Sequence, residues 1–203
     1  MRIYRLNVLL VALGFVALCL FPTHGRAMAE TEPAAAFIRS LGDRALDILR
    51  ISGSKKVERR EKFRSLVSTG FDLETIGKFV LGRYWQTATP EQRDEYLVLF
   101  PEFIVDTYAA RFDSYAGETF EVVQVVPIDA RDSIVNTNIF GADGTPFRVD
   151  YRVRRSDNEF KIVDVLVEGV SLLVTHRSEI ASVVNREGMN GLLAKLREQT
   201  GTP

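Results

Sequence analysis

The sequence predicts an α+β domain, with several helices packed on one face of a four-stranded antiparallel sheet. Three observations carry that reading. Apolar residues recur at helical spacing from Phe37 to Tyr115, the period changes to two after Gly117, and it becomes helical again from about Thr175. The boundaries of each segment carry their own capping or turn chemistry, which allows the elements to be justified one by one.

The chain opens with a leader. Arg2 and Arg5 precede an apolar stretch from Val8 to Phe21, then Pro22, then the small-residue site Ala27-Met28-Ala29. That layout predicts a signal peptide over residues 1–29, cleaved after Ala29, because the apolar stretch falls short of the roughly 20 residues a membrane-spanning helix needs. Cys19 would suit a lipidated cysteine, but Leu18 before it is a poor fit for that signal. Removing the leader takes three of the 26 basic residues and none of the 27 acidic ones, so residues 30–203 carry net −4. Such a charge gives no electrostatic footprint for nucleic acid. The same cut leaves no cysteine and one histidine, His176. Thiol catalysis, disulfides and cysteine metal sites are excluded, and no other histidine could join a zinc site. A single domain over residues 30–203 must then be held by its apolar core.

Phe37, Leu41, Ala45, Ile48 and Leu49 mark the first amphipathic helix, and Phe63, Leu66 and Val67 mark the second. The Gly/Ser/Lys patch at 52–56 reads as the loop between them. Asp72 can cap a third helix carrying Ile76, Phe79 and Val80 and ending near Gly82. The next start is the clearest: Thr89 as N-cap, Pro90 at the first helical position and Gln92 completing a capping box. Its stripe runs through Tyr96, Phe100, Phe103, Ile104, Tyr108 and Phe112, and Pro101 within it predicts a kink or break.

Four alternating segments follow: "ETFEVVQVVP", "SIVNTNIFG", "PFRVDYRV" and "EFKIVDVLVEG", with Asp143-Gly144 and Asp157-Asn158 supplying turns between the last three. The last segment holds Asp164 and Glu168. On a strand their side chains share a face but stand about 13 Å apart, too far for a paired acid and base. Cross-strand ion pairs with Arg148 and Arg152 are the expected role. The opposite face, with Val149, Tyr151, Val153, Val163, Val165 and Val167, forms an apolar wall toward the helices. Ile180, Val183 and Val184 then mark a helix broken at Gly188, after which Asn190 could cap a last helix bearing Leu192, Leu193 and Leu196.

"VLGRYWQTATPEQRDEY" (80–96), "TYAARFDSY" (107–115), "PFRVDYRV" (146–153) and "KIVDVLVEGVSLLVTHRSE" (161–179), in that order, resemble the MlaC/Ttg2D family of toluene-tolerance, ABC-transporter auxiliary proteins. The resemblance spans about residues 37–199. It implies that the helices cradle a curved sheet and that an apolar cavity lies between them. It also implies a soluble, monomeric periplasmic carrier without cofactor that shuttles phospholipid between an outer-membrane lipoprotein complex and an inner-membrane ABC transporter with an MCE-domain subunit, maintaining outer-membrane lipid asymmetry. Candidate lipid-lining residues on the helical side are Val80, Trp85, Phe103, Ile104, Tyr108 and Phe112. On the sheet side they are Val149, Tyr151, Val163, Val165 and Val167, with Val170 and Leu173 at the strand-to-helix junction and Val170 near the cavity mouth.

A bare acyl chain of about 16 carbons costs on the order of 10 kcal/mol in water at about 0.8 kcal/mol per CH₂, so such a carrier must bury both chains. The same residues would equally fill an ordinary core, which is the alternative of a ligand-free adaptor. A hopanoid or other polycyclic cargo suits apolar walls as well as a phospholipid does. The alternative from another class is a small periplasmic enzyme using His176 as base, with Ser171, Ser178 and Glu179 near it in sequence, although no nucleophile elbow precedes it.

Overall fold

In a computed structural model the described residues are 24–51, 55–109, 117–141, 144–157 and 159–201. Six helices and five strands run in the order α1 (His24–Leu49), α2 (Lys56–Gly70), α3 (Leu73–Leu81), α4 (Tyr84–Thr87), α5 (Pro90–Ala109), β1 (Thr119–Pro127), β2 (Asp132–Phe140), β3 (Pro146–Ser156), β4 (Glu159–Val167), β5 (Val170–Ser171) and α6 (Leu172–Thr200). The strands form one antiparallel sheet in sequential order, so the expected meander is present with a short fifth strand added. Residues 1–23, most of the expected leader, lie outside the described residues. The α1 helix starts upstream of the expected cleavage point after Ala29.

Local chemistry starts the helices where the sequence puts them. The Asp72 carboxylate accepts from the Thr75 amide at 3.0 Å, and α3 ends at Gly82, whose φ of 58° suits a residue without Cβ. Both bonds of the capping box form: the Gln92 amide donates to Thr89 Oγ1 at 3.2 Å and the Thr89 amide to Gln92 Oε1 at 3.0 Å. Of the kink or break expected at Pro101, the break is absent, and α5 runs through it as one helix. A proline inside a helix costs about 3 kcal/mol, but Tyr96, Leu99, Phe100 and Val105 on this helix are each no more than 2 % exposed, and their burial outweighs that cost. The break at Gly188 is present, with φ 70° and ψ −179° interrupting α6. Asn190 accepts a hydrogen bond from Gln92 Nε2 at 2.7 Å, which ties the second part of α6 to the start of α5.

The apolar residues sort into two clusters. A helical lobe joins Val80 and Leu81 of α3, Tyr96, Leu99 and Phe100 of α5, and Ile180, Val184, Leu192, Leu193 and Leu196 of α6. Tyr96 is wholly buried there and donates its hydroxyl to the Gly77 carbonyl at 3.1 Å. A sheet lobe packs Ala34, Ile38, Leu41 and Ile48 of α1 and Leu66 of α2 onto Val135, Val153 and Ile162. Phe71, between α2 and α3, bridges to Ile162, and the Asp72 amide donates to the Ile162 carbonyl at 3.0 Å.

On the far face of the sheet, Asp132 is 1 % exposed and accepts from Arg154 Nε at 2.8 Å and from Arg152 Nε at 2.9 Å. Asn136 donates to buried Asp150 at 2.8 Å, and Arg148 Nε donates to the same carboxylate at 2.9 Å. These arginines are therefore engaged by Asp132 and Asp150, which corrects the expected pairing of Arg148 and Arg152 with Asp164 and Glu168. The backbone register does set Arg152 opposite Asp164, but Val153 then pairs with Ile162, so Val163 is an extra residue at a bulge. The changed twist there turns the Asp164 carboxylate toward the start of α6.

Candidate functional site

Asp164 and Glu168 build one corner of the molecule. Asp164 Oδ2 accepts from Ser171 Oγ at 2.7 Å, and its Oδ1 accepts from the Leu173 amide at 3.2 Å. Ser171 Oγ accepts in turn from the Val174 amide at 3.1 Å. A carboxylate and a hydroxyl thus cap α6 together, where the helix dipole favours negative charge. Glu168 and Gly169 both have positive φ, 49° and 78°, and make the two-residue turn from β4 into β5. The strained glutamate is held from two sides. Its amide donates to the Arg148 carbonyl, and its carboxylate accepts from the Arg148 amide.

Beside this corner the two lobes meet, with α6 packed on β4 and α2 on α5. Val105 of α5, Val149 of β3 and Val163 of β4 are 5 % exposed or less, yet among the described residues they belong to neither apolar cluster. His176, buried in α6, reaches across to α5. Glu179 Oε2 accepts from its Nδ1 at 3.0 Å, which leaves Nε2 to accept from the Tyr108 hydroxyl at 3.0 Å. Phe103 and Tyr108 stand edge-on to the imidazole at 5.8 and 6.1 Å.

The expected site residues divide accordingly. Val80 is a wholly packed member of the helical lobe, and Trp85, Phe103, Ile104 and Leu173 pack against it. Trp85 lies between two cations, with Lys78 Nζ 5.3 Å and Arg93 Cζ 5.5 Å from its ring centre. Tyr151 and Val165 pack on the sheet lobe, and the apolar surroundings push the Tyr151 phenol up to about 12. Val149 pairs with Val167 and Tyr151 with Val165 across β3 and β4, so these four line one sheet face. Val170 is 61 % exposed in the short strand β5. Phe112 lies outside the described residues. Sequence reasoning did not find the Tyr108–His176 contact. The helical spacing of Phe103 and Tyr108 hinted at a shared face, but the partner comes from 68 residues further along.

Chemically, the arrangement offers apolar walls and a relay whose members are already bonded to one another. Ser171 is engaged by Asp164, and Ser178 donates to the Val174 carbonyl at 3.0 Å. Neither forms a nucleophile–base pair with His176. An open groove of about 600 Å³ runs elsewhere, past Ser68, Asp72, Glu74 and the β3–β4 turn. It touches none of the expected residues, and its lining is as polar as it is apolar, unlike the mostly apolar walls that acyl chains need. Among the described residues, no helix is long and apolar enough to cross a membrane.

Comparison with known proteins bears on this arrangement. The Haemophilus influenzae protein described as intermembrane phospholipid transport system binding protein MlaC is 24% identical over 211 residues, covering 100% of this chain and 98% of that one. The Pseudomonas putida toluene tolerance protein ttg2D is 24% identical over 118 residues, covering 58% of this chain and 55% of its own length. A solved phospholipid-binding protein from Ralstonia solanacearum, in complex with a phospholipid, superposes with a TM-score of 0.70 at 26% identity and covers 83% of this chain and 97% of that one. The family profile described as MlaC protein matches residues 39–198, and the chain belongs to that family.

Proposed function

We propose that this protein is a periplasmic phospholipid carrier that shuttles lipid between the outer membrane and an inner-membrane transporter. The observation that carries the reading is its likeness, over most of both chains, to a structure with a phospholipid bound. The family match over residues 39–198 supports it. The lipid lies in the seam between the lobes, with Tyr108 and Leu173 on the helical wall, Val149, Val163 and Val167 on the sheet wall, and Val170 at the rim. Two acyl chains of about 16 carbons each withdraw on the order of 20 kcal/mol of apolar hydration cost into such walls. Few polar groups are needed, since burial is non-directional and tolerates different chains. The donors and acceptors in this reading are an outer-membrane lipoprotein complex and an inner-membrane ABC transporter with an MCE-domain subunit, met by a monomer from which residues 1–29 have been cleaved.

Native mass spectrometry of the protein purified from its producing cells tests the reading. Added mass matching one two-chain phospholipid is expected. Ligand-free protein in repeated preparations overturns it, and a polycyclic lipid in place of the phospholipid overturns the choice of cargo.

A further inference from the structure

The chain from residue 30 onward is net acidic, yet one surface at the junction of α3, α4 and α6 is built on arginines that have no acidic partner among the described residues. Arg177 of α6 lies over the Phe79 ring, its Cζ 4.8 Å from the ring centre. Its guanidinium also lies against the Gly82 backbone, where a Cβ on residue 82 would meet it at 3.2 Å. Among the described residues none of its N–H donors carries a hydrogen bond and no carboxylate stands within salt-bridge distance. Arg83 lies over the Tyr84 ring at 4.9 Å and donates to the Tyr84 hydroxyl at 2.8 Å and to Asn185 Oδ1 at 3.3 Å. Among the described residues it too has no carboxylate within salt-bridge distance. Beside these cations are exposed apolar side chains, with Phe79 41 % and Val174 54 % accessible.

From this surface we infer a docking site for another protein, one whose contact face presents carboxylates around a small apolar spot. The inference takes from the carrier reading only its purpose, since a carrier must meet a donor and an acceptor. The charges themselves argue for the contact. A guanidinium held over a ring has few orientations left to lose, and the planar fork of its remaining donors matches a carboxylate two bonds at a time. Arginine and aromatic side chains together are the usual anchors of such contacts. The net-negative remainder of the chain turns this patch toward an acidic partner during approach. A flat anionic bilayer meets a wide area of a net-acidic molecule, whereas a protruding protein face meets the patch alone.

The test places a photoreactive phenylalanine analogue at Val174, one turn from Arg177, in the producing cells, with and without the double substitution Arg83→Glu and Arg177→Glu. The expected result is an adduct to a protein whose cross-linked peptide is acidic. Its yield should fall about tenfold on double charge reversal and recover when carboxylates on that peptide are changed to lysine. Far-UV circular dichroism and co-purified lipid should be the same in the double variant as in the parent. Absence of any protein adduct, an adduct to lipid, a yield indifferent to charge reversal, or lipid lost from a folded double variant each overturns the proposal. Parent protein that yields the charge-dependent adduct but carries no lipid supports the docking site while defeating the carrier reading, so the two failures are distinguishable.

Discussion

The inside of each lobe and the junction between the lobes are held in different ways. Within the helical lobe Val80, Leu99, Phe100 and Leu193 interlock with 2 % exposure or less, and within the sheet lobe Ile38, Val135, Val153 and Ile162 do the same. Polar groups fasten the junction. Arg60 of α2 donates to Asp106 of α5 at 2.7 Å and to Glu102 at 3.3 Å, Arg64 bonds Glu102, and Asp164 of β4 caps α6. Apolar packing resists any opening, because a gap in it forfeits dispersion and burial at once. Directional bonds fix two bodies relative to one another with less buried apolar contact, and in the carrier reading that junction is where an apolar guest enters and leaves.

The strongest test of that contrast puts the same charge in both places. Val80→Glu buries an ion in the packed helical lobe, 1 % exposed, and should abolish cooperative folding. Val167→Glu, at a half-buried strand position that the carrier reading puts against the lipid, should leave the far-UV circular dichroism spectrum intact and remove co-purified lipid. Unfolding in both variants would show that the seam is an ordinary core.

The next effect lies on the far face of the sheet lobe, where the Arg154 hydrogen bond, helped by Arg152, holds the Asp132 carboxyl below the usual carboxylate range despite its burial. A depressed folded-state pKa gives stability that is complete above the unfolded value, near pH 4, and lost as pH falls through the folded value. Asp132→Asn should cost about 2 kcal/mol at pH 7, less than a fully buried pair because both guanidinium groups are about a third exposed. It should also flatten the acid limb of the parent's stability curve, as measured by urea titration between pH 5 and pH 2.

Cutting a fastener between the lobes should cost less. Arg60→Met removes the bonds to Asp106 and Glu102 and is expected to lose about 1 kcal/mol, shrinking as salt is added. A loss unchanged by 0.5 M salt would point to the packing of the Arg60 stem in place of its charge. Smallest is Asp164→Asn, which keeps a side-chain acceptor at the α6 start but removes the negative charge, at about 0.5 kcal/mol with lipid content unchanged. Lipid lost from this folded variant would make the corner part of the binding site.

The features legible in the sequence were those decided by neighbours in the chain. Asp72, the Thr89–Gln92 box and the interruption at Gly188 each act within four residues, and each formed. The strand periods were legible for the same reason. What escaped depended on distant partners. One inserted residue, Val163, moves the Asp164 carboxylate from a strand face to a helix cap, and alternation cannot register an insertion of one. Pro101 signals a break on local grounds, and the burial of its neighbours against α3 and α6 overrides it. Trp85 and Val80 share a motif with the lipid-carrier family, yet periodicity could not divide a core stripe from a cavity wall. That division depends on two clusters assembled from helices on both sides of the sheet in sequence.

The α6 helix completes the helical lobe from the last residues of the chain. Tyr84 and Asn185, in contact through a 2.6 Å hydrogen bond, are 101 residues apart in sequence, with the whole meander between them. During synthesis α3 and α5 therefore emerge with Val80, Leu99 and Phe100 uncovered and stay so until Leu192, Leu193 and Leu196 arrive. Long-range closure of this kind is slow, because the intervening chain must be ordered before the contact is rewarded. The order of synthesis thus delays completion of the fold until α6 has emerged. A chain stopped before residue 172 would expose the apolar faces of two helices with nothing to cover them, which is a state prone to aggregate.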